Sequence, residues 1–429
     1  MNKILNRAMT LSAIALLAGG YASQSQAARY VLGDAAGIAP DQPRVLFGLY
    51  DVPEGEEPDD SHLVGPTFYN AGLLDTGANG ILLGQLAFFN FSLDNPSDTG
   101  SQFVQATNPT TNQPVWYDEL GVAGTDPMKV FKSYLLHYNG YGDTNPARVH
   151  DMPDITPFGR EDINLGSYAA IIGMPAMMGM HTYVNMTPLR SFQNSGTPGT
   201  TFDAIHSYIS PTKYQTNGPQ YDIDLRLVDV PHTGQRHPDD PTPTYAPLPV
   251  IDDIITTFEG TSTTGTFLLD TGAQTNIISM QMALDMGLNM DPDDENTDIQ
   301  DYLTVGGIGG QTDMPIVLID ELTVPLADGD EMVWNNVVVG VLDIDGAPFD
   351  AVFGMNMLIS GYDAADIFGG TATPETGFFD GFNLDFTTGD EQGILSLDWN
   401  DNRIIPEPAS AAIIGIALFV AYTRRPKNA

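Results

Sequence analysis

The segment Leu73-Leu74-Asp75-Thr76-Gly77-Ala78 recurs as Leu268-Leu269-Asp270-Thr271-Gly272-Ala273, and this recurrence limits the possible folds more than any other feature. Apolar runs flank both copies: Gly72–Leu74 and Ile81–Leu83 around the first, Phe267–Leu269 and Ile277–Ile278 around the second. Short apolar runs on either side of a glycine turn read as strand–turn–strand. A second element follows each copy. It is Ala170-Ile171-Ile172-Gly173-Met174 after the first and Ala351-Val352-Phe353-Gly354-Met355 after the second, with Gly173 98 positions beyond Asp75 and Gly354 84 beyond Asp270. Two elements repeated in the same order imply duplicated lobes. The two aspartates lie 195 residues apart.

The chain contains its own control. Asp98-Thr99-Gly100 is a third Asp-Thr-Gly, but no apolar strand leads into it, and it reads as a surface turn. The signal therefore lies in the context and not in the tripeptide. Composition agrees with a β-rich body, since 44 Gly and 31 Pro favour many turns over a helical bundle. With 55 acidic and 16 basic side chains the net charge is −39, which disfavours nucleic acid and anionic lipid as partners. The absence of cysteine excludes disulfides, Cys-ligated metal and thiol nucleophiles.

The paired motifs resemble the aspartic peptidases, pepsin-like in placing two lobes in one chain. The likeness spans about residue 44 to residue 398. It implies a mainly β, bilobal acid-protease fold, two related barrel-like lobes with a cleft between them. Each lobe then supplies one catalytic aspartate, Asp75 and Asp270. Ile172-Gly173 and Phe353-Gly354 pass through the two turns and support them. The Ala after each Asp-Thr-Gly is as in retroviral peptidases. Gly306-Gly307-Ile308-Gly309-Gly310 looks like a retropepsin flap tip, and Tyr117 falls close to where a pepsin-like flap tyrosine stands, in surroundings that match that flap poorly. Phe382–Asp390 running into Gly393–Leu397 looks like the closing hairpin of a pepsin C-lobe.

These residue types suit peptide hydrolysis, which needs an activated water and a proton for the leaving amine. Two carboxyls face to face cannot both ionise cheaply, so they share one proton and titrate in two split steps. One member takes a proton from water while the other hydrogen-bonds the scissile carbonyl, and near-symmetry leaves the two roles exchangeable. Gly77 and Gly272 permit a turn and a close approach of the opposing lobe, and the Thr76 and Thr271 hydroxyls are placed to bond across the interface.

Other constellations offer less. The acidic run Asp291, Asp293, Asp294, Glu295, Asp298, Asp301 has Asn296 where an EF-hand loop needs Gly, and reads as a solvated loop. There is no His-Glu-x-x-His and no phosphate loop of the Walker type, so neither metal nor cofactor is expected.

The two ends read as addresses. Residues 1–27, with Lys3 and Arg7 before a short apolar core and Ser25-Gln26-Ala27 at its end, read as a secretory signal peptide; the core is too short for a membrane anchor. At the other end Pro406-Glu407-Pro408 precedes an apolar stretch, Ala409–Tyr422, and a basic finish at Arg424, Arg425 and Lys427. That order resembles the PEP-CTERM sorting signal, which implies an exosortase-type transpeptidase and export machinery as partners, transient membrane anchoring, and delivery to the cell surface or matrix. An ordinary C-terminal anchor is the competing reading. The expected organisation is a first lobe over 28–215, a second over 216–398, and a linker with the sorting signal over 399–429.

The sequence thus points to an exported, monomeric endopeptidase acting on extended peptide or protein substrates. A processing peptidase confined to matrix partners is a narrower version. The alternative from another class is a surface or matrix binding protein that keeps the fold without the chemistry.

Overall fold

In a computed structural model the chain is described over residues 42–400, except 66–69, 93–102, 122–123, 142, 144–147, 167, 194–200, 217, 231–233, 308–309, 345–346, 360–377 and 390. The signal peptide, the Pro406-Glu407-Pro408 tail, the third Asp-Thr-Gly and the candidate flap residues Ile308 and Gly309 lie outside the described residues.

The protein is mainly β. The apolar runs of the first half form β1 (Arg44–Tyr50), β2 (Asn70–Leu74), β3 (Ile81–Leu83), β4 (Trp116–Gly121), β5 (Gly124–Val130), β6 (Tyr134–Gly140), β7 (His150–Ile155), β8 (Phe158–Gly159) and β9 (Ala170–Ile172). The remaining strands are β10 (His181–Gln193), β11 (Thr201–Ser210), β12 (Gln220–Val228), β13 (Leu248–Phe258), β14 (Thr261–Asp270), β15 (Ile277–Ser279), β16 (Asp301–Gly307), β17 (Gly310–Pro325), β18 (Glu331–Leu342), β19 (Ala351–Gly354), β20 (Phe379–Asp385) and β21 (Gln392–Trp399). Among the described residues three short α-helices, α1 (Gln85–Ser92), α2 (Met280–Asp285) and α3 (Met355–Leu358), accompany them.

The duplication seen in the motifs extends to the topology. The nine-stranded sheet contains the order β4-β5-β8-β3-β9-β2-β1, and the twelve-stranded sheet contains β16-β17-β18-β15-β19-β14-β13. Strand directions match as well. β2–β9 and β3–β8 are parallel in the first half, as are β14–β19 and β15–β18 in the second, and the other neighbours in both series are antiparallel. β16–β17 is therefore the second-half counterpart of the β4–β5 hairpin.

Strands β10 and β11 fall on the first-lobe side of the expected boundary at residue 215, and they join the second sheet through β10–β20. With β20, β21 and β12 they form a layer whose inward residues Val184, Ile209, Phe382, Leu384, Leu395 and Leu397 are buried in the continuous apolar core. The same core holds Leu74 and Leu269, the residues preceding the two aspartates.

Candidate active site

Asp75 follows β2 and Asp270 ends β14, so each carboxyl sits where an apolar strand turns sharply. The turns are closed locally. Gly77 N–H donates to Asp75 Oδ1 at 2.8 Å, and Gly272 and Ala273 N–H donate to Asp270 Oδ1 at 2.8 and 3.0 Å.

The two turns meet. A Cβ on Gly77 would fall within 2.6 Å of the Cγ, Oδ1 and Oδ2 of Asp270, and one on Gly272 within 2.8 Å of the same atoms of Asp75. Only glycine lets each loop pack onto the opposite carboxyl. Thr76 and Thr271, both fully buried, lock the loops together. Thr76 Oγ1 donates to the Leu269 carbonyl at 2.6 Å and Thr271 Oγ1 to the Leu74 carbonyl at 2.8 Å. Each hydroxyl also accepts the other threonine's backbone N–H, at 3.1 and 3.0 Å.

Ile172-Gly173 and Phe353-Gly354 thread these loops. Asp75 N–H donates to the Ile172 carbonyl at 3.1 Å, and Gly173 N–H to that of Gly80 at 3.1 Å. Asp270 pairs with Gly354 in the parallel β14–β19 ladder, and Met355 N–H donates to Ala273 at 2.8 Å. A Cβ on Gly173 would stand 2.3 Å from the Ala78 carbonyl oxygen, and one on Gly354 2.5 Å from that of Thr275. Sequence reading missed Asn276, whose Oδ1 accepts Gly354 N–H at 2.8 Å; its position six residues after Asp270 was the available signal.

Electrostatics separate the pair from ordinary carboxylates. Burial, then the negative charge of Asp270, holds Asp75 well above the usual range. Burial also raises Asp270, against the lowering effects of its hydrogen bond to Asp75 and the N–H groups of Gly272 and Ala273. The two carboxyls are thus each other's nearest electrostatic influence.

The candidate flaps are counterpart hairpins with different surroundings. Gly307 pairs with Gly310 at the tip of β16–β17. Tyr117 on β4 is only 5 % exposed, among Ala106, Val115 and Val130, with its ring 5.7 Å from that of Tyr245. The segment connecting β12 to β13 runs along this hairpin. Asp118 N–H donates to the Gly234 carbonyl at 2.9 Å, Gln235 bridges Tyr117, and the Arg236 guanidinium pairs with Asp118. Further on, Ala246 N–H donates to Asn79 at 2.8 Å, beside the Asp75 turn. Burial pushes neighbouring Glu119 up to about 7.

Residues 254–357, from within β13 into α3, match the aspartyl protease family. No curated protein matches the chain in sequence. Among solved structures, a retropepsin-like aspartic protease from Rickettsia conorii is similar at 14% identity, covering 43% of this chain and 97% of its own, with a TM-score of 0.23. Basic 7S globulin from soybean is similar at 8% identity, covering 84% of this chain and 96% of its own, with a TM-score of 0.36.

Proposed function

We propose that the chain is an exported aspartic-type endopeptidase, pepsin-like in having both lobes in one polypeptide, with Asp75 and Asp270 as its catalytic pair. The observation that carries this reading is the reciprocal packing of each Asp-Thr-Gly turn on the other's carboxyl, with the threonines bonded across. Two buried carboxyls so placed hold one proton over a pH range in which isolated aspartates are ionised. The pair titrates as a unit, and the roles exchange during turnover.

In the reaction, water between the carboxyls gives a proton to the ionised member as its oxygen attacks the scissile carbonyl carbon. The protonated member donates to the carbonyl oxygen, giving a neutral gem-diol. Collapse of the diol breaks the C–N bond: the amine leaves with a proton from one carboxyl, a diol hydroxyl gives its proton to the other as the carbonyl re-forms, and the pair returns to its shared-proton state. No cofactor enters these steps. The substrate lies extended between the lobes, bound through strand-like main-chain bonds.

Export and sorting are part of the proposal. Residues 1–27 direct secretion, and Pro406-Glu407-Pro408 with its apolar and basic sequel presents the chain to an exosortase-type transpeptidase. Among the described residues no helix is long and apolar enough to cross a membrane. N- and C-terminal mass analysis of the exported protein tests both cuts.

A second reading has one observation in its favour. The β4–β5 hairpin is held down by the connecting segment, an arrangement suited to a fixed binding groove as much as to a moving flap. One experiment separates the two readings: peptide cleavage between about pH 3 and 7, with and without pepstatin, beside an Asp75→Asn variant. Pepstatin-sensitive cleavage lost in the variant supports the peptidase. Peptide binding without cleavage at any pH supports the binding protein.

A further inference from the structure

The outward face of the layer formed by β11, β10, β20, β21 and β12 is polar although much of it is buried. One row crosses it in register: Tyr208 pairs with Tyr183, Tyr183 with Asn383, Asn383 with Ser396 and Ser396 with Asp222. These residues alternate with the inward apolar side chains, so the row lies on the opposite side of the layer from the core that holds Leu74 and Leu269. A pocket of about 340 Å³ opens over the row.

Three properties of this pocket specify an occupant. Its floor includes Asn383, which is fully buried, and neither its amide nitrogen nor its amide oxygen has a hydrogen-bond partner among the described residues. An amide buried this way calls for a group that both donates and accepts. Its side is a set of nearly parallel tyrosine rings. Tyr214 stacks on Tyr183 with centroids 4.4 Å apart and on Tyr208 at 5.0 Å, both at 11° between planes. Such plates favour a flat or ring-shaped ligand.

The third property is charge. The lining includes two of the chain's 16 Lys and Arg residues and none of its 55 Asp and Glu residues. Arg148 lies 5.1 Å from the Tyr208 ring and is paired with Asp143 at 3.1 Å. Lys213 donates to Ser396 Oγ at 3.4 Å and forms no ion pair among the described residues. Two acids touch lining residues: Asp398, hydrogen-bonded by Gln220, also interacts with Tyr183 and Lys213, and Asp385 lies 3.5 Å from His181. Lys213 and Arg148 are the Lys and Arg side chains of the lining, and Asp143, Asp398 and Asp385 are acids close to it.

We infer that this pocket is a second binding site, separate from the Asp75–Asp270 cleft, for a small ring-bearing carboxylate that also carries a hydroxyl. The carboxylate meets Lys213 and Arg148, the ring lies against the tyrosines, and the hydroxyl pairs with the Asn383 amide. The ring can be aromatic or a saturated sugar acid, since the lining chemistry is shared.

Calorimetric titration of the full chain with 4-hydroxybenzoate and with D-glucuronate tests the site and tells the two ring types apart. One of the two binds, and Lys213→Ala or Asn383→Leu weakens it at least about tenfold, equivalent to about 1.4 kcal/mol. Asn383→Leu fills the same space without a polar group, so it leaves the melting temperature unchanged or raised, whereas a purely structural amide would make it fall. Asp75→Asn leaves binding intact, which keeps this result independent of the peptidase reading. Absence of binding by both probes at about 10 mM, or equal binding to the wild type and both pocket variants, overturns the inference.

Discussion

Thr76 and Thr271 exchange hydrogen bonds across the two halves of the chain, each hydroxyl accepting the other's backbone N–H at 3.0–3.1 Å. Both are fully buried, and each hydroxyl also donates to the residue preceding the opposite aspartate, Leu269 or Leu74. Four bonds thus fix two loops that are 195 residues apart in sequence.

Thr76→Val keeps the shape and removes a donor and an acceptor at once, leaving a buried carbonyl at Leu269 and a buried N–H at Thr271 without partners. Each costs about 1–3 kcal/mol, read as a lower urea midpoint. The cleavage rate falls about 10- to 100-fold through misplacement of the carboxyls. Thr76→Ser restores most of both. An unchanged midpoint for the valine variant would contradict the bonding described.

Gly77→Ala and Gly272→Ala place a methyl group within 2.6 and 2.8 Å of the opposing carboxyl atoms. The loops must part, and cleavage drops by more than about 100-fold while the sheets stay folded. Circular dichroism and the cleavage assay together check this; retained activity in either variant speaks against the close approach.

Burial raises both Asp75 and Asp270 above the ordinary aspartate value of 3.8. The folded state therefore binds protons that the unfolded state releases. The stability contributed by this is full below the unfolded value and is lost as pH rises through the folded values. Asp75→Asn removes the pair's share, so its stability falls less steeply with pH than the wild type's. Denaturant midpoints across pH 3 to 8, roughly the span of perturbed carboxyl titrations, check the difference in slope.

Glu119 is raised from 4.5 to about 7 by burial, beside Tyr117 and Tyr245. By the same sign, its contribution is full below 4.5 and is lost as pH rises through about 7. The β4–β5 hairpin accordingly exchanges its amide hydrogens faster above neutrality, after correction for intrinsic rates, and Glu119→Gln abolishes that step.

Arg236 and Asp118 form an ion pair with side chains 43% and 42% exposed, so Arg236→Ala costs at most about 1 kcal/mol. Gly234 matters more, because a Cβ there would sit 2.1 Å from the Asp118 carbonyl oxygen. Gly234→Ala detaches the connecting segment from β4 and raises hydrogen exchange in the hairpin well beyond the arginine variant.

The turns around Asp75 and Asp270 are legible in sequence because their geometry imposes the same short string of residues twice: apolar strand, aspartate, threonine, glycine. The strands that thread them are legible for the same reason, since Gly173 and Gly354 stand where any side chain would strike a loop carbonyl. Long-range pairing leaves no such trace. Tyr208, Tyr183, Asn383 and Ser396 form one row on four strands, yet they are scattered over 213 positions with nothing local to join them. Tyr117 shows the same limit. Its distance from Asp75 suggests a flap residue, but its partner Tyr245 comes from the connecting segment, whose polar, proline-rich sequence reads only as a loop.

That connecting segment leaves the second sheet after β12 and returns to it at β13, and in between it reaches across to the first half of the chain. It is bonded at Gly234 and Gln235 to the β4 edge and at Ala246 to the loop beside Asp75. A rotation that spreads the halves must pull on the hairpin through the same residues. Widening of the groove and lifting of its rim are then one mechanical event, and a protein that gripped the groove would stiffen both together.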